Sequence, residues 1–553
     1  MQHKIFAHYN LRVPMRDGIT LSADIFFPEA AKHGERFPVI LVRTPYNKNQ
    51  KIYIDAARYF AQHGYVYVTM DVRGRGDSDG EFVPYVNDGR DGYDAIEWCA
   101  AQSWSTGKVG TLGASYLGRI QWLTALHQPP GLKTMIVMVT PSDPFVEMPI
   151  GTQGLQHLCW LYLVNGRLRQ LMEEINWNPI YKHLPLLTMD ERAGFVSPKW
   201  REELQHPTLD AYWDNLRYQN QFEKIDLPVM HISGWYDDQQ IGTPLNFVGM
   251  TTRGATELAR KNQKLLMGPW GHAVNAAQKI GEVDFGANAL IDLRAYELRW
   301  FNAWLKEIDD GITREPAARI FVMGKNEWRD ENEFPLARTQ YTNFYFHSGG
   351  SANSRYGDGT LSTEIPGAEK PDAYLYDPAR PTPYITDATS SQIGGPDDYF
   401  AIQQRGDVLV YVTPPLENDV EVIGPVRVAL YASSSAVDTD FTALLFDSHP
   451  GGFAQRLCDG IVRARYREGM ERASLMEPNR IYKFEIDLWN TCHVFFAGHR
   501  IGVHIASAAF PKYDRNLNTG ADLATGTRME IAQQTIYHDA EHASAVILPI
   551  IPN

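Results

Sequence analysis

Apolar residues in the first third of the chain occur in short continuous runs, and between these runs they recur every three or four positions. Continuous runs bounded by turn residues are typical of buried strands, whereas the longer spacing is typical of helices with one apolar face. The β-α-β-α order indicates an α/β fold with a mostly parallel sheet and helices on both of its faces. The predicted strands are 37–42, 65–72, 108–112 and 133–139, and the predicted helices between them are 52–63 and 116–126.

The alternation of strand-like and helical segments stops at residue 142 and resumes after residue 226. This stretch has helical spacing and many aromatic residues, among them Trp160. A helical insertion between two strands predicts a cap over the carboxyl edge of the sheet, where open α/β sheets bind ligands. The alternation resumes with predicted strands at 227–233 and 263–267 and a long amphipathic helix at 288–308.

After about residue 335 the alternation of helices and strands ends. Gly and Pro residues interrupt the chain, and strand-like runs follow at 408–412, 426–432, 441–447 and 501–506. Short strands separated by turns predict a β-sandwich or jelly roll of roughly 200 residues. The predicted domains are an α/β domain in two parts (1–141 and 227–335), a helical cap (142–226) and a β jelly-roll domain (336–553).

Composition and charge narrow the class of protein. The 553 residues are enough for three or four domains with large cores. The chain has 52 Lys and Arg residues against 66 Asp and Glu residues, a net charge of −14, and such a surface repels nucleic acid and anionic lipid. Since no apolar run is long enough for a membrane span or resembles a signal peptide, we expect a cytoplasmic protein without a nucleic-acid or membrane partner.

The sharpest chemical signal is the serine of G-A-S-Y-L-G, between a predicted strand and a predicted helix. Such a turn is a nucleophile elbow, which would expose the Ser115 hydroxyl at the helix N-terminus. Gly113 gives the backbone the freedom that the turn needs, and Gly118 lets the helix pack close to the strand. Leu117 replaces the second Gly of the common G-x-S-x-G form. The alternative is an ordinary β-α turn with a surface serine.

A nucleophilic serine needs a histidine base that is held by a carboxylate. In this fold the acid and the histidine follow the serine in that order, each just beyond a strand. Asp237 follows the predicted strand 227–233, and His272 follows the predicted strand 263–267. Both candidates therefore stand where the topology requires them. Asp238 is the alternative acid, and a loop histidine without a catalytic role is the alternative for His272.

The oxyanion of a tetrahedral intermediate needs preorganised hydrogen-bond donors. One should be the backbone N–H of Tyr116, the residue after the nucleophile. The second normally comes from the loop after the third strand, which here reads R-T-P-Y-N-K. Pro45 fixes the backbone ahead of Tyr46, whose hydroxyl could donate into the site. On spacing alone, Tyr46 is equally a packing aromatic.

Three other patterns are predicted to be structural. The glycine-rich segment 73–80 follows a strand but fits neither a dinucleotide-binding loop nor a Walker loop, so we interpret it as a turn. His231 lies within a predicted strand and is expected in the core. His538 and His542 have strand-like flanks, which argues against a shared metal ion. The four cysteines form no Cys-x-x-Cys pair, and we expect neither a metal nor another cofactor.

These candidates lie within a series of motifs that resembles a known family. Over nearly its whole length the chain is similar to the serine hydrolases that include cocaine esterase, α-amino-acid ester hydrolases, glutaryl-type cephalosporin acylases and X-Pro dipeptidyl-peptidases. The motifs are R-T-P-Y around Tyr46, D-V-R-G-R-G-D-S-D-G from Asp71, G-A-S-Y-L-G around Ser115, G-W-Y-D ending at Asp237, G-P-W-G-H ending at His272, G-P-V-R-V from Gly424, D-T-D-F from Asp438, H-V-F-F-A-G-H-R-I from His493 and F-P-K-Y-D-R-N-L-N-T-G from Phe510.

The resemblance implies an α/β-hydrolase fold with an inserted helical cap and a C-terminal β jelly-roll domain. It implies a triad and an oxyanion hole, and hydrolysis of esters or amides of small acids through an acyl-enzyme without a cofactor. Members of the family often associate, so a homo-oligomer is a further expectation. The implied triad is Ser115, Asp237 and His272, and the implied oxyanion hole is the Tyr46 hydroxyl with the Tyr116 amide.

One departure from the family bears on the substrate. The amino-acid ester hydrolases carry an acidic pair two and three positions after the triad aspartate, which helps to hold the substrate's ammonium group. Here Gln239 and Gln240 occupy those positions, and a desolvated ammonium without a countercharge is costly. Asp238 and Glu147 remain candidates for that role, and Trp160 is the cap aromatic expected in the substrate pocket.

We therefore predict a carboxylic-ester hydrolase that acts on small-molecule esters. Whether it also hydrolyses amides is left open by the sequence. An α-amino-acid ester hydrolase or β-lactam acylase is the main alternative. An X-Pro dipeptidyl-peptidase fits less well, because the chain is short for one. A catalytically silent hydrolase fold that serves as a binding module is the alternative outside the enzymes.

Overall fold

The computed structural model describes residues 3–149, 151–386 and 394–552. Two large sheets follow one another along the chain, and the change from one to the other falls between Glu331 and Gln340. Among the described residues, no helix combines the length and the apolar character that crossing a membrane requires.

The first sheet has ten strands in the order β1-β2-β4-β3-β5-β6-β7-β8-β11-β12. The strands from β4 to β11 in this order are parallel, and an antiparallel hairpin lies at each edge. A short hairpin, β9 and β10, lies outside it. The bounds are β1 (Ile5–Pro14), β2 (Thr20–Pro28), β3 (Phe37–Thr44), β4 (Val66–Asp71), β5 (Ser105–Ala114), β6 (Leu132–Met138), β7 (Val229–Gly234), β8 (Gln263–Gly268), β9 (Lys279–Ile280), β10 (Val283–Asp284), β11 (Ala318–Val322) and β12 (Glu327–Glu331).

Helices cover both faces of this sheet and explain why its central strands are continuously apolar. Every residue of β3, β4, β7 and β8 is buried, as expected of a parallel sheet between two helical layers. Along β3, Val39 and Leu41 enter one core while Ile40 and Val42 enter the other. The helices are α1 (Lys51–Gln62), α2 (Asp88–Ala101), α3 (Tyr116–Ala125), α4 (Leu155–Leu163), α5 (Trp177–Tyr181), α6 (Met189–Arg192), α7 (Pro198–Gln205), α8 (Gly242–Arg253), α9 (Glu257–Lys261) and α10 (Leu293–Lys306).

The helices α4 to α7 form the predicted cap between β6 and β7. The cap has its own apolar core, in which Trp177 and Trp200 are fully buried. At the start of α7, the Ser197 side chain accepts a hydrogen bond from the Trp200 amide and Pro198 occupies the first turn, both of which favour a helix start.

The second sheet system is the C-terminal jelly-roll domain. Its strands are antiparallel, apart from the short contact between β14 and β16. Its core is a separate apolar cluster. The strands are β13 (Gln340–His347), β14 (Thr360–Ser362), β15 (Asp372–Tyr376), β16 (Leu409–Val412), β17 (Val420–Ser434), β18 (Asp440–Ser448), β19 (Ala454–Arg463), β20 (Tyr482–Phe495), β21 (Arg500–Ala506), β22 (Ala532–Tyr537) and β23 (Ala545–Ile551).

The predicted fold class, an α/β-hydrolase domain with a helical cap and a C-terminal jelly roll, is confirmed. The divisions predicted at residues 141, 226 and 335 fall in connections between these elements and stay predictions.

Candidate active site

Ser115 stands on a strained turn between β5 and α3. Its φ of 59° and ψ of −125° lie in a region that a residue with a side chain rarely adopts, and such strain is typical of a functional position. The Ser115 amide donates to the Met138 carbonyl at 2.9 Å, which fixes the turn to the neighbouring strand β6. The strand-turn-helix arrangement predicted for this serine is therefore present.

Two glycines allow this turn to form. A Cβ atom on Gly113 would lie 2.4 Å from the Leu117 Cβ, and one on Gly118 would lie 2.3 Å from the Thr140 hydroxyl and 3.1 Å from the Met138 carbonyl oxygen. The predicted role of Gly118, close packing of the helix on the strand, is confirmed by these distances.

Asp237 and His272 lie on the loops after β7 and β8. Main-chain hydrogen bonds join the two loops, because the Tyr236 amide donates to the Trp270 carbonyl at 3.0 Å. The His272 Nδ1–H donates to Asp237 Oδ1 at 2.8 Å, and the Ser233 hydroxyl donates to Asp237 Oδ2 at 2.6 Å. The Asp237 carboxylate is thus buried, satisfied on both oxygens, and able to fix the orientation of the imidazole.

Asp238 places a second carboxylate at the same imidazole. Its Oδ1 lies 2.9 Å from His272 Nδ1, yet this buried oxygen has no hydrogen-bond partner of good geometry among the described residues. Burial by itself favours the neutral imidazole, but the charge of Asp238 and the hydrogen bond to Asp237 raise the pKa of His272 well above its usual value. Asp238 was the alternative acid in the sequence prediction. In the structure the carboxylates of Asp237 and Asp238 both lie within 3 Å of His272 Nδ1, at 2.8 and 2.9 Å.

The Tyr46 hydroxyl lies within hydrogen-bonding reach of Ser115 and is oriented by the cap. Trp160 Nε1–H donates to the oxygen of this hydroxyl at 2.9 Å. The Tyr46 O–H proton therefore remains free to be donated to another group. Burial raises the pKa of Tyr46, although hydrogen bonds with Trp160 and Ser115 oppose the rise, and the phenol stays protonated at neutral pH. The sequence analysis missed the contact from Trp160, since the two residues are 114 positions apart.

The Tyr116 amide offers a second donor at the same place. Tyr116 is the first residue of α3, so its N–H has no partner within the helix. Its side chain points elsewhere, and the hydroxyl donates to the buried Asp88 carboxylate. With the Tyr46 hydroxyl, two donors of the kind that an oxyanion needs flank Ser115.

The glycine-rich segment 73–80 is a turn after β4, as predicted, and it also supports the Tyr46 loop. The buried Arg75 guanidinium donates to the Pro45 carbonyl at 2.8 Å and to the Val164 carbonyl of the cap at 2.6 Å. It thereby ties the Tyr46 loop to the cap. This role of Arg75 could not be predicted from the sequence, because its partners are main-chain carbonyl groups and a sequence motif does not show which carbonyls a side chain will contact.

A cavity of about 600 Å³ opens beside Ser115 between the sheet and the cap. This volume lies within the range of small-molecule sites. Ser115, His272, Tyr46, Trp160, Asp238 and Gln239 all line it.

Gln240 lies outside this cavity. Its side-chain amide donates to the Asn490 carbonyl and its side-chain oxygen accepts from the Asn490 amide at 3.3 Å, so it joins the two domains. Gln240, predicted with Gln239 at the substrate pocket, does not line this cavity, because both polar atoms of its side chain bind the main chain of β20.

Two glutamates in the cavity wall differ in whether a cationic side chain lies next to them. Glu203 accepts from His157 at 2.8 Å and lies 3.3 Å from the Lys199 ammonium. Glu147 instead accepts only the Ser142 amide, at 2.7 Å, and makes no ion pair among the residues that the structure describes. Burial raises the pKa of Glu147 to about 7. Glu147 is thus a buried carboxyl group in the cavity wall that makes no ion pair with a described residue, although the charge of Arg119 favours its ionised form.

The remaining histidine candidates are structural. His231 is fully buried, its Nε2 lies 2.8 Å from the Gln263 side-chain oxygen, and burial lowers its pKa to about 4. His538 contacts Asp372 at 2.9 Å, whereas His542 contacts Asp539 at 3.2 Å. His231 is a core histidine as predicted, and His538 and His542 have different partners.

The fold and the residues around Ser115 define the class of a capped α/β-hydrolase of the serine hydrolase type. A family model described as "X-Pro dipeptidyl-peptidase (S15 family)" matches residues 17–274, and one described as "X-Pro dipeptidyl-peptidase C-terminal non-catalytic domain" matches residues 310–547. The chain is 37% identical to cocaine esterase of Rhodococcus sp. (strain MB1 Bresler), over 98% of each chain. The chain belongs to this S15 family of serine hydrolases.

Solved structures show the same fold. An aminopeptidase from the marine sediment archaeon Thaumarchaeota archaeon has a TM-score of 0.87 at 23% identity, covering 100% of this chain and 97% of that chain. An α-amino acid ester hydrolase also has a TM-score of 0.87, at 24% identity and with coverage of 99% and 97%. At these identities the likeness establishes the architecture of both domains and the cap.

Proposed function

We propose that the protein hydrolyses carboxylic esters of small acids through an acyl-enzyme on Ser115. The observation that carries the proposal is the strained Ser115 turn beside the Tyr46 hydroxyl, at a cavity that His272 also lines. The name of a relative with 37% identity over almost the full length, cocaine esterase, supports ester substrates.

In the first half-reaction, His272 Nε2 takes the Ser115 proton while the serine oxygen attacks the ester carbonyl. Asp237 holds the Nδ1–H tautomer that leaves Nε2 free to accept, and it stabilises the imidazolium that forms. When the tetrahedral intermediate collapses, His272 returns the proton to the leaving alcohol, and the acyl group stays on Ser115.

The negative charge on the carbonyl oxygen is stabilised by the Tyr46 hydroxyl and the Tyr116 amide. Both donors are in place before the reaction, because Trp160 orients the first and the α3 N-terminus presents the second. Such preorganisation lowers the barrier, because no donor has to be oriented as the charge forms.

In the second half-reaction, water enters the cavity and His272 removes its proton as the oxygen attacks the acyl carbon. The same two donors stabilise the second oxyanion. Collapse of this intermediate releases the acid and restores Ser115. The protein's own groups supply every proton transfer in this sequence, and the reaction balances with water as the co-substrate.

Initial rates on two activated esters with one leaving group test the acyl preference. We would compare p-nitrophenyl phenylacetate with the corresponding α-phenylglycine ester, which differs only by an ammonium group, and use Ser115→Ala as the blank. A strong preference for phenylacetate would support a general esterase. An absence of Ser115-dependent turnover on both esters, together with no labelling by a fluorophosphonate probe, would contradict the proposal and favour a silent binding module.

The second candidate is an α-amino-acid ester hydrolase or β-lactam acylase, and one observation favours it. Glu147 and Asp238 both present carboxylates to the cavity, and no cation pairs with Glu147 in the described part of the chain. A strong preference for the α-phenylglycine ester that Glu147→Gln abolishes would establish Glu147 as the ammonium site. A phenylglycine preference that persists in this variant and is lost in Asp238→Asn would assign the role to Asp238.

A further inference from the structure

A second group of metal-ligating side chains lies in the jelly-roll domain, outside the substrate cavity. Asp447 is near the end of β18, His449 begins the turn to β19, and His499 lies in the turn between β20 and β21. Each offers one ligand atom, and the three atoms lie within 4.8 Å of one another. His499 belongs to the H-V-F-F-A-G-H-R-I motif, but its spacing does not reveal the group, because Asp447 is 52 positions away.

The distances suit a small divalent ion. Asp447 Oδ2 lies 2.9 Å from His499 Nδ1 and 3.6 Å from His449 Nε2. Ligand bonds of about 2.0–2.1 Å around tetrahedral zinc place neighbouring donor atoms about 3.3 Å apart. The two distances from Asp447 Oδ2 are within a few tenths of an ångström of this value, and the ligand atoms of the two histidines lie within 4.8 Å of each other.

A further histidine holds the carboxylate in place. His493 Nε2–H donates to Asp447 Oδ2 at 3.0 Å, and both side chains are almost completely buried. Hydrogen bonds of this kind to ligating groups orient them and tune metal affinity. The other carboxylate oxygen, Oδ1, also lies 2.9 Å from His499 Nδ1, so the hydrogen bond from His493 holds the carboxylate with both oxygens beside His499.

The two proposed ligand histidines are accessible. The side chains of His449 and His499 are 31% and 16% exposed, so an ion can enter from solvent. His449 Nε2 lies 3.1 Å from the Gln455 side-chain oxygen. Binding would replace this hydrogen bond with a bond to the ion, and the Nε2 proton would be lost or move to Nδ1.

We propose that Asp447, His449 and His499 bind one divalent transition-metal ion, with Zn²⁺ as the ion that this nitrogen and oxygen donor set favours. The ion joins the β18–β19 turn to the β20–β21 turn, and water completes its coordination. It stabilises this end of the jelly roll. The site is separate from Ser115, so ester hydrolysis does not depend on it.

Zinc titration of the full-length, chelator-treated protein tests this site. We would measure stoichiometry and Kd by isothermal titration calorimetry with ZnCl₂, and coordination by the visible absorption of the Co²⁺ form. The Asp237, Asp238 and His272 group also has ligand atoms within 4.8 Å of one another, so all titrations are made in an Asp238→Asn background. The variants are His449→Asn and His499→Asn, with His542→Asn as a matched control on another histidine-aspartate pair.

The expected result is one zinc ion per chain, a tetrahedral or five-coordinate Co²⁺ spectrum and a melting temperature that rises with zinc. His449→Asn and His499→Asn should each weaken binding roughly tenfold or more, and His493→Gln by about 10–100-fold, whereas His542→Asn should not. The absence of binding in the Asp238→Asn protein, or an unchanged Kd in both ligand variants, would overturn the proposal.

Discussion

The Tyr46 hydroxyl is held so that it can donate toward Ser115. Trp160 Nε1–H occupies its acceptor side at 2.9 Å, and burial keeps the phenol protonated. Tyr46→Phe removes this donor while preserving the aromatic ring and its packing. The variant therefore separates the chemistry of the hydroxyl from the structural role of the ring.

The number of oxyanion donors that remain determines how far kcat should fall in the Tyr46→Phe variant. With the Tyr116 amide as the remaining donor, loss of one of two oxyanion donors should lower kcat by about 10²–10³, or about 2.7–4 kcal/mol. Trp160→Phe leaves the Tyr46 hydroxyl in place, removes the hydrogen bond that orients it and keeps an aromatic ring in the stack with Tyr85 and Tyr116. A neutral hydrogen bond contributes about 0.5–1.5 kcal/mol, so kcat should fall only about 2- to 12-fold.

The assay is steady-state hydrolysis of p-nitrophenyl phenylacetate, with kcat and KM determined separately. The matched control is Tyr53→Phe, because Tyr53 lines the same cavity and its hydroxyl lies 3.0 Å from the Thr44 hydroxyl instead of at the nucleophile. We expect the kcat of Tyr53→Phe to stay near that of the wild type. If Tyr46→Phe retained kcat as fully as Tyr53→Phe does, the hydroxyl would have no part in stabilising the oxyanion.

Three further predictions follow from the same contacts. Asp238→Asn removes a charge that raises the pKa of His272. Because His272 must be neutral to act as a base, the acidic limb of the kcat/KM–pH profile should move to lower pH. An acidic limb at the wild-type pH would contradict this role of Asp238. Gly118→Ala places a methyl group 2.3 Å from the Thr140 hydroxyl, so overpacking should lower stability by about 1–3 kcal/mol and reduce kcat, measured by urea unfolding and esterase rate; wild-type values for both would refute the packing. Arg75→Met leaves buried carbonyls of the Tyr46 loop and the cap without a donor, at a cost of about 1–3 kcal/mol for each, and an unchanged melting temperature would show that these contacts do not stabilise the fold.

The central strands and the three candidate triad residues could be predicted because each depends on a local pattern. Continuous apolar runs mark strands that are buried on both faces, and the connections after such strands carry Asp237 and His272. The outer hairpin of β1 and β2 was outside the predicted strands for a physical reason. Its register shifts between His8 and Leu11, which breaks the alternation, and the buried Asp24 interrupts the apolar run of β2.

The missed features of the site depend on contacts between distant parts of the chain. The Trp160–Tyr46 hydrogen bond spans 114 positions, and the contact of Gln240 with Asn490 spans 250. The resemblance to the amino-acid ester hydrolases placed Gln240 with Gln239 near the substrate, but the turn after Asp237 directs the two side chains apart. Such directions are fixed by packing against the cap and the jelly roll, which no local pattern encodes.

The proposed mechanism requires Ser115 to be the nucleophile that forms an acyl-enzyme. The most direct measurement is rapid-quench peptide mass spectrometry during turnover of p-nitrophenyl phenylacetate, alongside the turnover rate of Ser115→Ala. We expect a phenylacetyl adduct on the peptide that contains Ser115, and a loss of several orders of magnitude in kcat for the variant, as in other serine hydrolases. Turnover by Ser115→Ala close to that of the wild type, or an adduct on another residue, would contradict it.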